Sequence, residues 1–561
     1  MTIAAGIDIG NSTTEVLLAR VGRGEVDVLA DATAPTRRSK GSAESLDGAV
    51  SLLRRLERRS GLSVEVAVAA PLRPVDTAAT TLPEPEQTTG RLRLVASGSR
   101  TVGGEGSGIG RPVLVNGHAL SVDGSDAVVA VVPRGVAYQA VLEPLRALAS
   151  GGRLMAVVMA EDEAVLLGNR LAGRVPVIDE VPTDQMLDAV RVAAEVRPAG
   201  TPLRDLADPL QLVAQLGLRE TDRADAARLS TRLRDASNAV IALSEVMPTA
   251  EVSPAAWFEI DSADGRRCLL LASENDALRD APVGAARAYG LPPAVSRRKV
   301  DDLFAVDLGV VADTVVARSG AQRSRAVALS MLHADSPYRD PGDALADRLG
   351  VAVQTVASEA TAARAGGIST PGAEQTALVV DIGGGTIDVV AAGENVVAAG
   401  GGQLLTISVA ALTGATPAAA EWVKRGPAVR VETPHLLLGE DGSREFLDRP
   451  AGRETVGSLA VRGPAGLLPF DRTHAPGEWR ALRLRLKADA LGANVARAVR
   501  TLNERPTTVV LVGGPVGDDE VLASVARALP SGVAVGRGNA AGMLGHRYGV
   551  AYGLLLSLLR S

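Results

Sequence analysis

The sequence predicts an α/β chain of several domains: a two-lobed α/β unit whose halves lie toward opposite ends of the chain, with a second α/β domain inserted between them. Three observations carry this. Residues 376–391, TALVVDIGGGTIDVVA, run as an apolar stretch into Asp381, cross Gly383, Gly384 and Gly385, and resume from Thr386, the pattern of strand, tight turn and returning strand. Residues 3–18 repeat the device: Ile3 to Ile7 meet Asp8, a turn Gly10-Asn11-Ser12-Thr13-Thr14 follows, and Glu15 to Leu18 return. Between the two, residues 127–178 alternate apolar strands with a helical stretch, the βαβ signature of a parallel sheet.

With 561 residues the chain exceeds one hydrophobic core and should divide into three or four domains. Apolar residues make up 46% of it but aromatics only 2%, so the cores must be built from Ala, Val, Leu and Ile. A net charge of −6 and a pI near 5.6 argue against nucleic acid as a partner, because phosphate backbones are held by clustered positive charge. Lysine occurs only at positions 40, 299, 424 and 487, so no lysine is expected beside either glycine turn. The single cysteine, Cys268, excludes an internal disulfide and a cysteine-ligated cluster, suits a reducing cytoplasm, and is expected as a small buried hydrophobe. The five histidines, at 118, 333, 435, 474 and 546, lack ligand spacing and read as structural. The first apolar run reaches Asp8 without a preceding basic segment, so neither a signal peptide nor a membrane span is expected there.

In order, the first hairpin is followed by a strand at 25–30. A helix at 42–60 comes next, with apolar positions Leu46, Val50, Leu53 and Leu56, started by Ser42 and Glu44 and ended by Gly61. A strand at 64–69 completes the first half-lobe, and the Pro- and Thr-rich residues 71–89 read as a linker. Residues 97–110, SGSRTVGGEGSGIG, form a glycine-rich loop, but no Gly-Lys-Ser follows them and a phosphate role is not expected. Strands at 127–132 and 154–160, a helix at 135–149 and short strands at 165–167 and 175–178 make the inserted α/β domain. Asp162 and Asp179 each follow a strand end, where open α/β sheets bind ligands. Segments 184–195, 202–218 and 222–243 look helical, a connector, before strand pattern returns at 252–272. Residues 351–365 read as a helix carrying Glu359. Beyond the second hairpin come a helix at 404–412, a small β-element at 429–449, a strong helix at 479–502 and a closing small-residue helix at 551–559.

The chemistry lies in the turns. Backbone N–H groups of Gly383, Gly384 and Gly385 can point at phosphate oxygens as a nest, and Asp381 at the strand end can hold a hydrated Mg²⁺. The first hairpin offers the same set, so the two could face each other across a nucleotide. A third piece, the strand 507–512 followed by Gly513-Gly514-Pro515 and a helix capped by Asp518, could lay an adenine or ribose against backbone. Taken together, the three resemble the phosphate-1, phosphate-2 and adenosine motifs of the actin, Hsp70 and sugar-kinase ATPases.

A narrower resemblance follows from GIDIGNSTTEV at 6–16, GNRL at 168–171, PVIDEV at 176–181, DLFAVD at 302–307, VVDIGGGTIDV at 379–389, LLLGEDGSREF at 436–446, LVGGP at 511–515 and GRGN at 536–539. These look like the large subunit of diol and glycerol dehydratase reactivases, over nearly the whole chain. The resemblance implies an actin/Hsp70-like (ribonuclease H-like) two-lobed ATPase domain at 1–88, 256–425 and 476–561, a swivelling α/β domain at 89–200, a helical connector at 201–255 and a small insert at 426–475. It implies a slow, Mg²⁺-dependent, chaperone-like ATPase that serves an adenosylcobalamin-dependent diol or glycerol dehydratase and works with a small partner subunit as a hetero-tetramer of two large and two small subunits. It also implies a cytoplasmic location that can include a bacterial microcompartment.

Carried over by residue, Asp8, Gly10, Asn11, Ser12 and Thr13 match the first phosphate loop, Asp381, Gly383, Gly384, Gly385 and Thr386 the second, and Gly513 and Gly514 the adenosine motif. Glu359 lies where such ATPases carry an acid near the attacking water. Asp8, Glu359 and Asp381 are thus the expected catalytic residues, with ATP or ADP and Mg²⁺ as cofactors. Thr101, Asp162 and Asp179 match a second divalent-ion site completed by a glutamate of the small subunit, with Glu161 and Glu163 leaving the ligand open by one position. A small-molecule kinase, which would need a substrate-facing base, and an actin-like filament protein are the competing readings.

Overall fold

Alternation decides the first strand. In the computed structural model Thr2–Ile9 turns Ile7 and Ile9 into an aliphatic core while Asp8 points the other way, and Thr13–Gly22 returns antiparallel with Leu17 and Leu18 fully buried. The structure describes all residues except 82–87, 98–101, 117–124, 172–174, 199–200, 235, 246–256, 262–266, 270–274, 292–296, 316–325, 336–338, 464, 504 and 560–561. The chain forms two units, one of Met1–Leu82, Pro254–Val315 and Arg325–Ser561, the other chiefly Pro83–Ser253.

The first unit holds two sheets of the same plan. One is ordered Ala352–Thr355, Val66–Ala69, Thr2–Ile9, Thr13–Gly22, Glu25–Pro35; the other Ala534–Arg537, Thr508–Val512, Leu378–Ile382, Thr386–Val390, Asn395–Ala399. In each, a three-stranded antiparallel meander continues into two parallel strands, so the two hairpins occupy equivalent places. The helix Ala43–Ser60 covers the first sheet with Leu46, Ala49, Leu52, Leu53 and Leu56; the Ser42 side chain caps its start and left-handed Gly61 ends it.

A six-stranded antiparallel sheet, Arg267–Leu269 through Asp76–Thr81, and a five-stranded antiparallel sheet within Val429–Asp471 complete this unit. Part of the expected linker at 71–89 is therefore strand: Asp76–Thr81 pairs with Ala326–His333, a partner about 250 residues away that no local pattern announces. Residues 351–365 are not one helix. Ala352–Thr355 joins the first sheet, and the helix Glu359–Ile368 begins afresh where the Ser358 hydroxyl accepts from the Thr361 amide. The helix expected at 479–502 runs from Pro476 to Thr501 with a π-helical turn at Ala488–Gly492.

The second unit is a nine-stranded sheet whose middle, Gly106–Leu114, Val128–Val132, Leu154–Met159 and Val177–Ile178, is parallel. Half of the glycine-rich stretch 97–110 is thus strand. Residues 165–167 lie in the helix Ala164–Arg170 instead of a strand. Among the described residues, the connector expected at 201–255 holds two short α-helices, Pro209–Leu216 and Arg223–Leu233, which pack on this sheet through Leu212, Leu216, Ala226 and Leu229. Ala189–Val196 and Asn238–Ser244, both expected as helical, are paired antiparallel strands; burial between neighbours overrides the helix propensity of their Ala, Arg and Glu. The Cys268 side chain lies outside the described residues, although its backbone pairs with Phe258. Among the described residues no single helix is long and apolar enough to cross a membrane.

Candidate functional site

The two hairpins meet tip to tip. Each turn is closed by the same bond, the Gly10 amide to the Thr13 carbonyl at 2.9 Å and the Gly383 amide to the Thr386 carbonyl at 2.9 Å, with an aspartate two residues before each closing glycine. A Cβ on Gly384 would overlap the Ser12 hydroxyl, and one on Gly385 would come within 2.7 Å of the Asn11 amide nitrogen. The glycines therefore permit hairpin-to-hairpin contact as well as phosphate approach. The Gln403 side-chain amide adds a bond to the Asn11 carbonyl at 3.1 Å.

Beneath the tips lies a cleft of about 320 Å³, lined by Asp8, Gly10, Ser12, Thr13, Glu359, Asp381, Gly383, Gly384, Gly513 and Gly514. These ten, all among the residues singled out in the sequence, are gathered here from four separate stretches of it. Asn11 and Gly385 stand at the tip contact, and the Thr386 hydroxyl donates to Asp388 at 2.8 Å. Gly513, with φ +98°, donates its amide to the His546 carbonyl at 2.9 Å, and Lys424 and Arg425, which follow the helix Pro417–Val423, also reach the cleft.

Hairpin register adds two acids that were not among the expected site residues, although the motifs contain them. Glu15 pairs across from Asp8, and Asp388 across from Asp381. With Glu359 this makes five carboxylates in one place. Burial, and then Glu359 and Glu15, push the Asp8 carboxyl well above its usual range; burial, and then Asp388 and Glu359, do the same to Asp381. Burial and Glu359 carry Asp388 up to about 7 despite the Thr386 hydroxyl, and burial also raises Glu15 against Thr13 and Arg547.

The protein supplies one buried ammonium to this group. Lys40, 6% exposed, places its Nζ 2.6 Å from Glu359 Oε2. Burial acts to discharge it, but Glu359 and Asp8 outweigh burial and hold its pKa above the ordinary lysine value. The expectation that no lysine stands beside the glycine turns is thereby corrected. Lys424 is also buried, donating to the carbonyl of Gly402 at 2.9 Å, to Thr406 at 2.8 Å and to Glu421 at 2.7 Å. Nothing local in the sequence marks Lys40, which meets Glu359 across 319 residues. Glu15 and Asp388 could have been found by counting across each turn.

The surplus of carboxylates suits a hard cation. Among the described residues no three His, Cys, Asp or Glu side chains converge closely enough to grip an ion directly.

In the second unit, Asp179 is fully buried. Its Oδ2 accepts from the Ala164 amide at 2.7 Å, while its Oδ1 is buried without a hydrogen-bond partner. Burial, opposed by that amide and aided by Asp162 and Glu180, pushes its pKa up to about 6. Glu161 accepts from the Gly135 amide at 2.9 Å and Glu163 from the Tyr138 amide at 2.7 Å, so both are engaged at the start of the helix Tyr138–Ser150. Among the described residues Asp162 makes no hydrogen bond or ion pair. Thr101 lies outside the described residues.

Duplicated sheets, facing acid-and-glycine hairpins and a glycine turn at the end of a third strand define an ATPase-like domain of the actin/Hsp70-like class. Comparison with known families narrows the class: the model described as "Diol dehydratase reactivase ATPase-like domain" matches residues 291–558, and "DD-reactivating factor swiveling domain" matches residues 93–244. The chain belongs to the diol dehydratase reactivase family, in its large-subunit form. It is 27% identical to the propanediol dehydratase-reactivating factor large subunit of Salmonella typhimurium and 28% identical to that of Citrobacter freundii, in both cases over 99% of this chain and 98% of the relative. Among solved structures it resembles a glycerol dehydratase reactivase, with a TM-score of 0.69, and a diol dehydratase-reactivating factor in nucleotide-free form, with a TM-score of 0.67. Both are 25% identical and match over the full length of each chain.

Proposed function

We propose that this chain is an ATP-dependent, chaperone-like reactivating factor for an adenosylcobalamin-dependent diol or glycerol dehydratase, a slow Mg²⁺-dependent ATPase that releases damaged cobalamin through exchange of subunits. The observation that carries the ATPase is the placement of Asp8 and Asp381 at equivalent turns of facing hairpins around one cleft. The family relationship supports the target and, because the relatives are named large subunits, a small partner subunit. A hetero-tetramer of two large and two small subunits in the cytoplasm, with access to a bacterial microcompartment, completes the reading.

In this reading Asp8 and Asp381 hold the hydrated Mg²⁺, which supplies neutralising charge to the phosphates. The turn amides of both hairpins orient the phosphates. Glu359 positions the attacking water, and Lys40 holds the Glu359 carboxylate in place. Gly513 and Gly514 carry the adenosine. In the swivelling domain, Asp179 Oδ1 and Asp162, with Thr101, would hold a second divalent ion left open for a carboxylate of the small subunit.

The test is ATP hydrolysis with and without Mg²⁺, in wild type and in Asp381→Asn. Turnover should vanish in the variant while ADP binding persists, since backbone donors carry most of the binding. Wild-type turnover in Asp381→Asn would refute the site.

A further inference from the structure

The amides of the second glycine turn are aimed by a segment behind them. The carbonyls of Gly383, Gly384 and Gly385 accept from the amides of Gly402 at 3.0 Å, Gln403 at 2.8 Å and Gly400 at 2.8 Å. In a trans peptide the C=O of one residue and the N–H of the next point in opposite directions. With all three carbonyls bound to residues 400–403, the N–H groups of Gly384, Gly385 and Thr386 are turned away from that segment. The backing segment thus decides where the donors of the nest point.

The backing segment is itself held by charge. Asp302 Oδ2 accepts from the Ala399 amide at 2.7 Å and from Arg497 Nη2 at 2.6 Å, while Asp302 Oδ1 accepts from the Gly284 amide at 2.9 Å and Arg497 Nη1 at 3.2 Å. Arg497 Nε donates to Asn494 Oδ1 at 3.1 Å, and Asn494 Nδ2 donates to the Ala399 carbonyl at 2.8 Å. Both backbone groups of Ala399 are therefore gripped by side chains. Asp302, Arg497 and Asn494 are each 1% exposed or less, and the guanidinium lies 4.9 Å over the Phe304 ring. The next residue, Gly400, has φ +116°, and a Cβ there would stand 2.5 Å from Asn494 Nδ2, so glycine is required at the point of grip.

We propose that Asp302, Arg497 and Asn494 form a positioning cluster that sets the direction of the phosphate-facing amides at Gly384–Thr386. This rests on the reading of that turn as a phosphate cradle. A buried ion pair without such a task is replaceable by apolar packing at little cost, whereas here Asp302 and Asn494 hold the backbone of Ala399 behind the cradle and Arg497 bonds to both of them. The cluster touches no nucleotide. It acts through Ala399 and Gly400, and its loss should be felt by the phosphates and not by the adenosine.

The experiment measures ATP, ADP and AMP affinities by calorimetry in wild type, Asn494→Ala, Arg497→Met and Gly400→Ala, together with hydrogen exchange of the peptide spanning residues 378–390. The expected result is a fall of tenfold or more in the preference for ATP over AMP, with AMP affinity within about twofold of wild type, and faster exchange confined to the turn. A purely structural role would weaken all three nucleotides alike or none. Asn494→Ala and Gly400→Ala leave the charge pair intact, so one of them should fold if Arg497→Met does not. Unchanged ATP-over-AMP preference in folded variants overturns the inference while the cradle reading stands; a wild type that does not prefer ATP to AMP overturns the cradle reading and this inference with it.

Discussion

Replacing Lys40 by methionine isolates the charge at the centre of the acid cluster. The Lys40–Glu359 pair has a separation of 2.6 Å, with side chains 5% and 23% exposed. At an effective dielectric constant of about 20, unit charges this close attract by about 6 kcal/mol. Desolvation offsets roughly half of that, so a coupling of about 3 kcal/mol is expected. Lys40→Met should destabilise the protein by about 3–5 kcal/mol, because Glu359 is left beside four other carboxylates with its counter-charge removed. Glu359→Gln alone should cost less, since it removes one of five crowded carboxyl groups. The double variant Lys40→Met/Glu359→Gln should recover much of the loss, because neither charge is then stranded. Denaturant unfolding of the four proteins without Mg²⁺ gives the coupling directly. Turnover should fall by about 10²–10³ in each single variant and no further in the double, as for residues that act as one unit. A coupling below about 0.5 kcal/mol, or a double variant no more stable than Lys40→Met, would refute the idea that this ammonium organises the site.

Three further outcomes follow from the geometry. Gly384→Val should cost several kcal/mol of ADP affinity by forcing the Ser12 tip away as well as blocking phosphate approach; unchanged affinity in calorimetry would make the turn merely structural. Glu520 accepts from Arg483 at 2.8 Å and from Lys487 at 2.6 Å, and although burial opposes it these partners lower its pKa to about 2. A depressed carboxylate stabilises above its unfolded value of about 4.5, and that contribution is lost as pH falls toward 2. Glu520→Gln should therefore remove up to about 3 kcal/mol at neutral pH and flatten the stability profile between those values, and an unaltered acid-unfolding curve would contradict this. Asp162→Ala/Asp179→Ala should abolish chelator-sensitive co-purification with the small subunit, whereas partner binding as tight as wild type, with chelator inert in both, would dismiss the second ion.

The residues that touch phosphate in the proposed reading are written locally. An aspartate, a glycine turn and a returning strand need only a few adjacent positions, and the Ser42 cap, the Gly61 stop and the Asp518 cap are likewise local, so all of these were legible in the sequence alone. So was the α/β class, because apolar alternation survives without knowledge of partners. Tertiary structure alone decided what depends on partners distant in the chain. Ala189–Val196 is strand because two neighbours pair with both its edges and core packs on its two faces, and Asp76–Thr81 is strand because Ala326–His333 offers it an edge. Lys40 enters the site only because the loop after the first meander folds against the start of the helix bearing Glu359. Asp302 and Arg497, 195 residues apart, form one buried pair behind the second turn for the same reason. Local sequence carries the donors and acids of such a site, while the charges that balance and aim them come from long-range packing, where the low dielectric makes a single ammonium or guanidinium decisive.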